Sequence, residues 1–450
     1  MDRSIEPSHC TQKPPVVVIY NNLETFYPFL SRFEDPSILE KRKYRGDRAL
    51  FWLGSQKLVI ASSSIPDAER LCQLYGYKGT RSITPRKPSY QLSLDILNDP
   101  QTVAHIVQLA GPGKAIRLIP YAATREMYRL ARFLRETCGL RVDLPESPAE
   151  KDIEIRDFYD TKLGFRRDAP DWITESVRLP RGFGVQDRHS ASEAITWFLI
   201  RGLDCMVKPD RGESGLGIQY FDHHVAHPNL LAELQSNAFC PGESVLVEEY
   251  IRPQAGLSPS LELFVPPLGC GEPFITYLSN QHFGQLGRFS GVIISKSYLE
   301  ANWYAPLAEN GLRIASQLQK LGYVGNFDLD TVIDQQGRVY LLEINTRRTG
   351  GTHAHEFGRF AFTDRYLEDV ALFSSNQVKA AGVSSLDQLF ELLSPVLFPI
   401  CSEKRGVVIT VSSTLKSGDF GCLIVGESIA DLMEIKQEME FLLHPVVQVQ

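Results

Sequence analysis

Oxygen-bearing side chains interrupt two apolar stretches late in the chain, GNFDLDTVI and VYLLEINT. The first stretch carries Asp328, and the second carries Glu343 and Asn345. Both stretches are typical of β-strands, whose side chains alternate between two faces, so the three oxygen donors can share one face. Carboxylate and amide oxygens are the ligands that Mg²⁺ prefers. We therefore predict that these residues bind Mg²⁺, the alternative being a solvated polar face on an edge hairpin.

The four residues DQQG between the two strands predict a hairpin turn, which sets the strand register. In that register Asp328 lies directly opposite Glu343, and Asn326 lies opposite Asn345. Opposed side chains have Cβ atoms roughly 4.5–5.5 Å apart, and two carboxylates that close repel each other unless a cation lies between them. The other face of the hairpin is predicted to fill the core with Phe327, Leu329, Leu342 and Ile344.

A lysine followed by a glycine-rich loop occurs earlier in the chain, in VKPDRGESGLGI. Lys208 ends a predicted strand at the base of this loop. Glycines let a backbone approach a phosphate closely and direct amide N–H groups at it, and the lysine adds positive charge for the same anion. Lys162, in DFYDTKLGF, is a second candidate for a phosphate contact. The alternative is a flexible hairpin with solvated lysines. The loop residues in question are Gly212, Ser214, Gly215 and Gly217.

The stretch VLVEEYI, residues 245–251, is typical of a buried strand that runs into extended backbone. Extended backbone presents alternating N–H and C=O groups, which can pair with the rim of an adenine base. The alternative is a strand followed by a charged turn. This stretch therefore supplies a candidate for base binding that the lysine loop and the acidic hairpin lack.

Alternating strands and helices position these motifs. They predict an α/β domain over residues 1–145, in which LFWLGSQKLVIASSS is predicted to form two strands with a turn near Gly54. The motifs themselves fall within residues 146–360. Residues 361–450 are predicted to form an α/β extension that packs on this central part.

Composition excludes several classes of protein. The hydrophobic fraction of 43% is ordinary for a globular chain of 450 residues, and a net charge of −7 does not favour a nucleic-acid partner. No run approaches the roughly 18 apolar residues of a membrane helix. The 8 cysteines form no CxxC pair, which is typical of reduced thiols. We expect a cytoplasmic protein without membrane or nucleic-acid partners, and the sequence leaves open whether it forms a homodimer.

The order of the motifs resembles the ATP-grasp fold of carboxylate ligases, over roughly residues 150–360. A lysine with its glycine loop, the VEEYI hinge, the acid in GNFDLD and the LLEIN strand follow one another between residues 208 and 345. Within that superfamily, EINTRRTGGTHAHE and SPSLELF are most similar to the pheganomycin-type peptide ligases. The butirosin-type ligases, which load an amino acid onto a carrier protein, are closely similar. The resemblance implies an α/β (α+β) ATP-grasp fold with an N-terminal α/β pre-ATP-grasp domain.

The resemblance assigns a role to each motif residue. The ATP phosphates would be bound by Lys162, Lys208 and the loop from Gly212 to Gly217, including Ser214 and Gly215. Adenine would pair with the main chains of Glu248 and Ile251, and Glu249 would contact the ribose. One or two Mg²⁺ ions, for which Mn²⁺ can substitute, would be held by Asp328, Glu343 and Asn345.

The resemblance also implies an arginine at the reaction centre. D-alanine–D-alanine ligases carry it two residues before the first metal acid, where this chain has Asn326. Arg347 or Arg348, just past Asn345, would supply that charge instead. Arg288 is a second candidate for binding the substrate carboxylate, the alternative being a plain surface charge. Histidines after the second strand could deprotonate an amine or line its pocket. The candidate catalytic residues are Arg347, Arg348, Arg288 and His353, with His355 as a further pocket residue.

The activity implied is ATP-dependent ligation of a carboxylic acid and an amine. An acylphosphate would form first, and an amide, most simply a peptide bond in specialised metabolite biosynthesis, would follow. Three alternatives remain open at this point. The acceptor could be the thiol of a carrier protein, the chain could be a nucleotide-binding regulator without turnover, or the N-terminal domain could hold a dinucleotide. The last alternative lacks support because no GxGxxG follows a strand in that domain.

Overall fold

The computed structural model describes residues 13–213, 215–239, 242–254, 256–283 and 289–444. Their strands form three sheets, of five, four and nine strands. The α/β architecture predicted from the sequence is confirmed. No helix in these ranges combines the length and the apolar character that a membrane span requires. The cysteines described are free, and they are Cys72, Cys138, Cys205, Cys270, Cys401 and Cys422.

The five-stranded sheet is parallel, with the strand order β3-β2-β1-β4-β5. Both faces of β1 are buried, because Val17 and Ile19 pack into one hydrophobic cluster and Val18 into another. Such two-sided burial explains the short runs of Val, Ile and Leu. The strands are β1 (Val16–Ile19), β2 (Lys57–Ile60), β3 (Arg81–Ile83), β4 (Ala115–Pro120) and β5 (Arg141–Asp143). The helices are α1 (Asn22–Phe33), α2 (Pro36–Arg42), α3 (Ala68–Leu74), α4 (Leu92–Leu97), α5 (Pro100–Ala110) and α6 (Arg125–Glu136).

A 3₁₀ helix, Lys43–Phe51, stands where the sequence predicts the first strand of a pair. The prediction of two strands in LFWLGSQKLVI is therefore wrong, and only Lys57–Ile60 forms a strand. Residues of the C-terminal part of the chain form hydrogen bonds with the 3₁₀ helix. The Asp47 carboxylate accepts hydrogen bonds from the backbone N–H groups of Ser412 and Ser413, at 2.9 and 3.1 Å.

The four-stranded sheet is antiparallel, with the order β7-β10-β8-β9. Its central strand β10 is the predicted VLVEE strand, and the predicted lysine lies at the end of β8. The strands, with the short β6, are β6 (Val177–Arg178), β7 (Gly182–Val185), β8 (Cys205–Pro209), β9 (Gln219–Phe221) and β10 (Val245–Glu249). The helices here are α7 (Ile153–Tyr159), α8 (Lys162–Trp172), α9 (Arg188–Leu199) and α10 (Leu230–Glu233).

The nine-stranded sheet has the order β17-β18-β16-β13-β12-β11-β14-β15-β6. All its pairings are antiparallel except that of β15 with β6. The C-terminal strands thus continue the sheet that carries the acidic hairpin β14–β15. The strands are β11 (Pro259–Val265), β12 (Phe274–Phe283), β13 (Phe289–Ile294), β14 (Gly325–Ile333), β15 (Val339–Asn345), β16 (Ala371–Lys379), β17 (Gly406–Val411) and β18 (Asp419–Gly426). The helices are α11 (Tyr304–Leu321), α12 (Thr352–Phe362), α13 (Leu386–Leu393) and α14 (Ile429–Leu443). The division at residues 145 and 360 stays a prediction.

Lys57, on β2, is a lysine buried to 1% exposure. Its Nζ donates a hydrogen bond to the Gly54 carbonyl and lies 4.7 Å from the ring centroid of Tyr77. Burial lowers the pKa of Lys57 to about 7, because desolvation disfavours the charged ammonium group. The unfolded chain, with an ordinary lysine pKa of about 10.4, therefore binds more protons than the folded chain between these two values.

The stability of the wild-type protein should consequently rise with pH across this window, by about 1.4 kcal/mol per pH unit from Lys57. The variant Lys57→Met lacks this dependence. We expect the difference in unfolding free energy, variant minus wild type, to fall as the pH rises from 7 to 10, measured by chemical denaturation. Lys78→Met, at an exposed lysine, is the control. A difference that stays flat for Lys57→Met would contradict a buried neutral amine.

Candidate active site

Residues from the N-terminal part, the four-stranded sheet and the nine-stranded sheet line one cavity of about 550 Å³. A cavity of this size is within the range that holds small-molecule ligands. The predicted site residues that line it are Lys162, Lys208, Gly212, Gly215, Glu248, Glu249, Ile251, Asp328, Glu343, Asn345, Arg347 and His353. Gly217 and Arg348 are not among its lining residues. Ser214 and Arg288 lie outside the described residues.

The acidic face of the β14–β15 hairpin does not have the predicted register. Asp328 lies opposite Asn345, and Asp330 lies opposite Glu343. The predicted pairings of Asp328 with Glu343 and of Asn326 with Asn345 are therefore wrong. The observed register brings a further carboxylate, that of Asp330, onto the face that lines the cavity.

Two shifts produce this difference. A four-residue turn would place Ile333 opposite Arg338, but Ile333 pairs with Val339, and a β-bulge then adds one further residue. Strand pairing shifts after Asp330, so that Thr331 lies opposite Leu341 and Leu342 is an extra residue in β15. A bulge changes the face on which the following side chains lie. Leu341 packs in the core, and Leu342 lines the cavity. The prediction of Leu342 as a core residue is wrong for this reason.

Hydrogen bonds from neighbouring side chains hold the two aspartates of β14. Ser260 Oγ donates to Asp328 Oδ1 at 2.5 Å. Asn345 Nδ2 donates to Asp330 Oδ2 at 2.9 Å, and Gln281 Nε2 donates to the other oxygen of the same carboxylate. These contacts fix the carboxylates in the cavity wall, which orients them for a ligand.

The acids of this face repel one another in the absence of a cation. Burial raises the pKa of Asp328 to about 6, and the nearby Glu262 acts in the same direction. Burial also raises the pKa of Asp330 well above its usual value, and the charges of Asp328 and Glu343 add to that rise. A divalent cation relieves such repulsion, and a donor set of carboxylate and amide oxygens fits Mg²⁺.

Glu343 is paired with a lysine. Its carboxylate lies 2.6 Å from Lys162 Nζ. Three or more His, Cys, Asp or Glu side chains whose ligand atoms lie within 4.8 Å of one another could hold a metal ion. Among the described residues, such a group is formed by Asp222, His223 and His224, which do not line the cavity. The acids of the β14–β15 hairpin are not gathered around one point in this way, and the Glu343 carboxylate is occupied by Lys162. Glu343 can bind a metal ion together with the aspartates only after Lys162 has moved away.

The two lysines lie next to each other and to the glycine loop. Lys162 begins α8, and its backbone N–H donates to the carbonyl of Asp210, just after β8. Lys208, in β8, forms an ion pair with the buried carboxylate of Glu248. Burial alone would lower the pKa of Lys162, but Glu343 more than offsets this and raises it. Both ammonium groups are thus held by carboxylates, positions that phosphate oxygens can take over.

The glycine loop lies against the N-terminal helix α1. Gly215 and Gly217 have φ values of 76° and 75°, a conformation that L-residues other than glycine rarely adopt. A Cβ at Gly217 would lie 2.6 Å from the ring of Phe33. Glu213 of the loop forms an ion pair of 2.9 Å with Arg42. These contacts hold the loop against the N-terminal part of the chain, at the wall of the cavity.

In the hinge strand and the residues after it, the glutamate side chains form ion pairs, whereas one backbone N–H among the described residues has no hydrogen-bond partner. Glu248 pairs with Arg166 at 3.1 Å as well as with the lysine, and Glu249 pairs with Arg181 at 2.8 Å. Within the described part of the chain the backbone N–H of Ile251 makes no hydrogen bond. A donor that lines a cavity in this way can pair with a ring nitrogen of a base. The ribose role of Glu249 stays a prediction.

The two arginines after β15 point into different surroundings. Arg347 lines the large cavity, pairs with Asp160 at 2.7 Å and lies 4.6 Å from the ring centroid of Phe26. Arg348 pairs with Glu146 at 2.6 Å and lines a separate small cavity. Of the two, Arg347 is thus the one that faces a ligand in the large cavity.

Asn326 contacts the same carboxylate as Arg348 and lies away from the acidic face of the hairpin. Its Nδ2 donates to Glu146 Oε2 at 3.2 Å. That carboxylate also accepts from Arg348, and both residues line the small cavity. The position that carries an arginine in D-alanine–D-alanine ligases is therefore a structural contact here.

The two histidines of α12 are buried. His353 lines the cavity, and its Nε2 lies 3.3 Å from Ser374 Oγ. Burial, helped by the charge of Arg48, lowers the pKa of His353 well below its usual value. His355 stacks on Tyr277, is not among the cavity residues, and burial lowers its pKa to about 3. Both imidazoles are neutral at neutral pH, so each can hydrogen-bond but is a weak proton acceptor.

Sequence reasoning missed three charged residues that line the cavity. Asp330 follows Asp328 at a spacing of two, and this alternation in GNFDLD was a signal that both share a face. Arg45 and Arg48 lie in the 3₁₀ helix. No local pattern places them here, because they reach the cavity only through tertiary packing.

No family model and no curated protein matches the chain by sequence. Solved structures match it in fold. N5-carboxyaminoimidazole synthetase from Staphylococcus aureus, complexed with ADP, is 12% identical with a TM-score of 0.56, over 96% of this chain and 97% of that one. Biotin carboxylase from Campylobacter jejuni, in a β-γ-ATP complex, is 13% identical with a TM-score of 0.56, over 92% of this chain and 88% of that one. Both enzymes are ATP-grasp proteins, and this chain has the ATP-grasp fold.

Proposed function

We propose that the chain is an ATP-dependent ligase that joins a carboxylic acid to an amine and forms ADP and phosphate. The observation that carries this proposal is the set of residues that line the large cavity, of about 550 Å³. Two lysines and a glycine loop, an oxygen-rich acidic face and a buried arginine all line it. Phosphoryl transfer to a carboxylate needs these three kinds of group together.

The nucleotide would lie between the acidic face of the β14–β15 hairpin and the group formed by the two lysines and the glycine loop. Lys162 and Lys208 would exchange their carboxylate partners for phosphate oxygens, and the glycine loop would cover the phosphates. The Ile251 N–H would donate a hydrogen bond to a ring nitrogen of adenine. Asp328, Asp330, Glu343 and Asn345 would hold Mg²⁺, which when bound neutralises charge on the phosphates. Withdrawal of Lys162 from Glu343 is what frees that carboxylate for the ion.

The chemistry requires activation because a carboxylate is a poor electrophile. Transfer of the γ-phosphoryl group to a carboxylate oxygen gives an acylphosphate and leaves ADP. The amine then attacks the carbonyl carbon, phosphate leaves, and the amine proton passes to solvent or to phosphate. Arg347 lies in the cavity wall and supplies a planar cation for the carboxylate and for the oxyanion of the addition step. His353, as a neutral imidazole, would orient the amine through a hydrogen bond.

The finer assignment is a peptide ligase of the pheganomycin type, acting in specialised metabolism in the cytoplasm. It is supported by the sequence similarity of EINTRRTGGTHAHE and SPSLELF. A screen of ADP release with ATP, Mg²⁺ and pairs of amino acids tests it. Release that requires an acid and an amine supports amide formation, release that requires a carrier-protein thiol supports the thioester alternative, and no release with any pair contradicts the proposal.

Hydroxylamine trapping should separate the two adjacent arginines. With ATP, Mg²⁺ and the acid alone, the acylphosphate should be trapped as a hydroxamate. Arg347→Lys keeps a positive charge beside Asp160 but loses the planar guanidinium, and we expect it to reduce the trapping rate at least tenfold. Arg348→Lys is the matched neighbour, and it should stay within about threefold of wild type because Arg348 does not line the cavity. Equal losses in both variants would refute the assignment of Arg347.

A further inference from the structure

Two arginines of the 3₁₀ helix, Arg45 and Arg48, line the large cavity without a carboxylate partner. Arg48 is 8% exposed, and its Nε and one terminal nitrogen are buried without a hydrogen-bond partner. Within the described ranges neither arginine takes part in an ion pair. A buried guanidinium without a partner is costly, so a structure retains it where a ligand supplies the anion.

Other buried arginines of the chain show what is missing here. Arg42, in the preceding helix, pairs with Glu34 at 2.5 Å and with Glu213 at 2.9 Å. Arg347 and Arg348 each pair with an acid at 2.6–2.7 Å. The Arg45–Arg48 pair therefore departs from the way this chain neutralises its buried positive charges.

The acid between the two arginines does not neutralise them. Asp47 is engaged with the backbone of Ser412 and Ser413. That contact fixes the 3₁₀ helix instead, and the close approach of Gly46 to Ala61 does the same, since a Cβ at Gly46 would lie 2.6 Å from the Ala61 Cβ. The two guanidinium groups are thus carried by a rigid segment, which lowers the entropy cost of binding.

Electrostatics also call for an anion. Burial lowers the pKa of Arg45, and the like charges of Arg48 and Arg42 act in the same direction, against a smaller opposing effect of Glu213. Arg48 is close enough to His353 to lower the pKa of that imidazole. Arg48 and His353, the histidine that we assign to the amine, thus line the same cavity close to each other, whereas the lysines and the glycine loop are the groups assigned to the nucleotide phosphates.

We propose that Arg45 and Arg48 bind a carboxylate or phosphate group of a small-molecule substrate, a group other than the nucleotide phosphates and other than the carboxylate that is activated. This rests on the proposed ligase function for the identity of the substrate, but not for the existence of the anion site. The substrate pair then includes an acid with a second anionic group, or an amine that carries one, such as a free amino acid.

Stability measurements test whether the arginines serve a ligand or the fold. Arg42→Met removes a partner from two carboxylates and should lower the melting temperature of the free chain. Arg48→Met removes an unpartnered buried charge, and we expect its melting temperature to be unchanged or higher. A fall of at least half that seen for Arg42→Met would show a structural role and overturn the proposal.

Anion binding tests the site directly and without turnover. Calorimetric titration of the full chain with succinate and with inorganic phosphate, in the presence of ADP and Mg²⁺, should show binding. The double variant Arg45→Gln/Arg48→Gln should bind at least fivefold more weakly, and Arg365→Gln, an exposed arginine paired with Glu368, should bind as wild type does. No binding of either anion to wild type, or a smaller loss in the double variant, overturns the inference.

Failure of the ligase proposal is distinguishable from failure of this inference, because ADP binding reports on the first and anion binding on the second. Once the substrates are found, kinetics locate the anionic group. If the acid carries it, Arg48→Gln should raise the KM for the acid in hydroxamate trapping at least tenfold. If the amine carries it, trapping should be unchanged and the KM for the amine should rise. Unchanged values in both assays overturn the proposal.

Discussion

Glu343→Gln should leave the protein folded and reduce Mg²⁺-dependent ADP formation at least 100-fold. Glu343 faces the cavity opposite Asp330 on the bulged hairpin. The amide keeps the shape of the side chain but removes the negative charge that would bind the metal ion once Lys162 has withdrawn. A 100-fold loss corresponds to about 2.7 kcal/mol of transition-state stabilisation, within the range of electrostatic groups at active sites.

Asp334→Asn is the matched control for Glu343→Gln. Asp334 lies at the turn of the same hairpin, where its carboxylate accepts from Arg338 Nε at 2.6 Å and from the backbone N–H of Gln336 at 2.9 Å. It does not line the cavity. We expect ADP formation within threefold of wild type and an unchanged Mg²⁺ dependence. Activity of Glu343→Gln close to that of the control would remove the acidic face from the mechanism.

Lys208→Ala should weaken nucleotide binding at least tenfold and reduce turnover about 100-fold. Lys208 is 8% exposed and lies between the glycine loop and the Glu248 carboxylate. Loss of its charge leaves the phosphates with one lysine in a site shielded from water, where a single ion contact is strong. Calorimetry with ADP and Mg²⁺ measures the first effect, and ADP release measures the second. Lys296→Ala, at an exposed lysine, should alter neither.

The glycine loop gives a second measurement for the same prediction. Closure over the phosphates should slow amide hydrogen exchange across residues 211–218 when an ATP analogue and Mg²⁺ are added to wild type. Lys208→Ala should show this protection only at higher ligand concentration. Exchange that is the same with and without the ligand would contradict the role of the loop as a lid.

The active-site motifs could be predicted from sequence because each is local. A period of two places the acids of β14 and β15 on one face, and Gly215 and Gly217 of the loop have positive φ values that other residue types rarely adopt. The register could not be predicted in the same way. The turn pairs Ile333 with Val339 and not with Arg338, as a four-residue loop would, and the bulge at Leu342 then shifts the pairing of every residue beyond it.

Residues that reach the site through tertiary packing gave no local signal. The run that carries Arg45 and Arg48 is apolar enough at its end to predict a strand, yet it forms a 3₁₀ helix because Leu50, Phe51 and Trp52 pack into the same cluster as the C-terminal strands. The difference between Arg347 and Arg348 is equally nonlocal. It depends on which carboxylate, Asp160 or Glu146, the fold brings beside each of them.

The hydrogen bond from the backbone N–H of Ser412 to the Asp47 carboxylate joins residues 365 positions apart in the chain. Contacts of such long range form late, because the entropy of closing the intervening loop must be overcome first. During synthesis, the hinge, the lysines and the acidic hairpin can emerge and fold before β17 and β18 exist. The 3₁₀ helix with its two arginines acquires this long-range anchor only when the last strands arrive. The order of translation therefore assembles the nucleotide half of the cavity ahead of the half that the arginines complete.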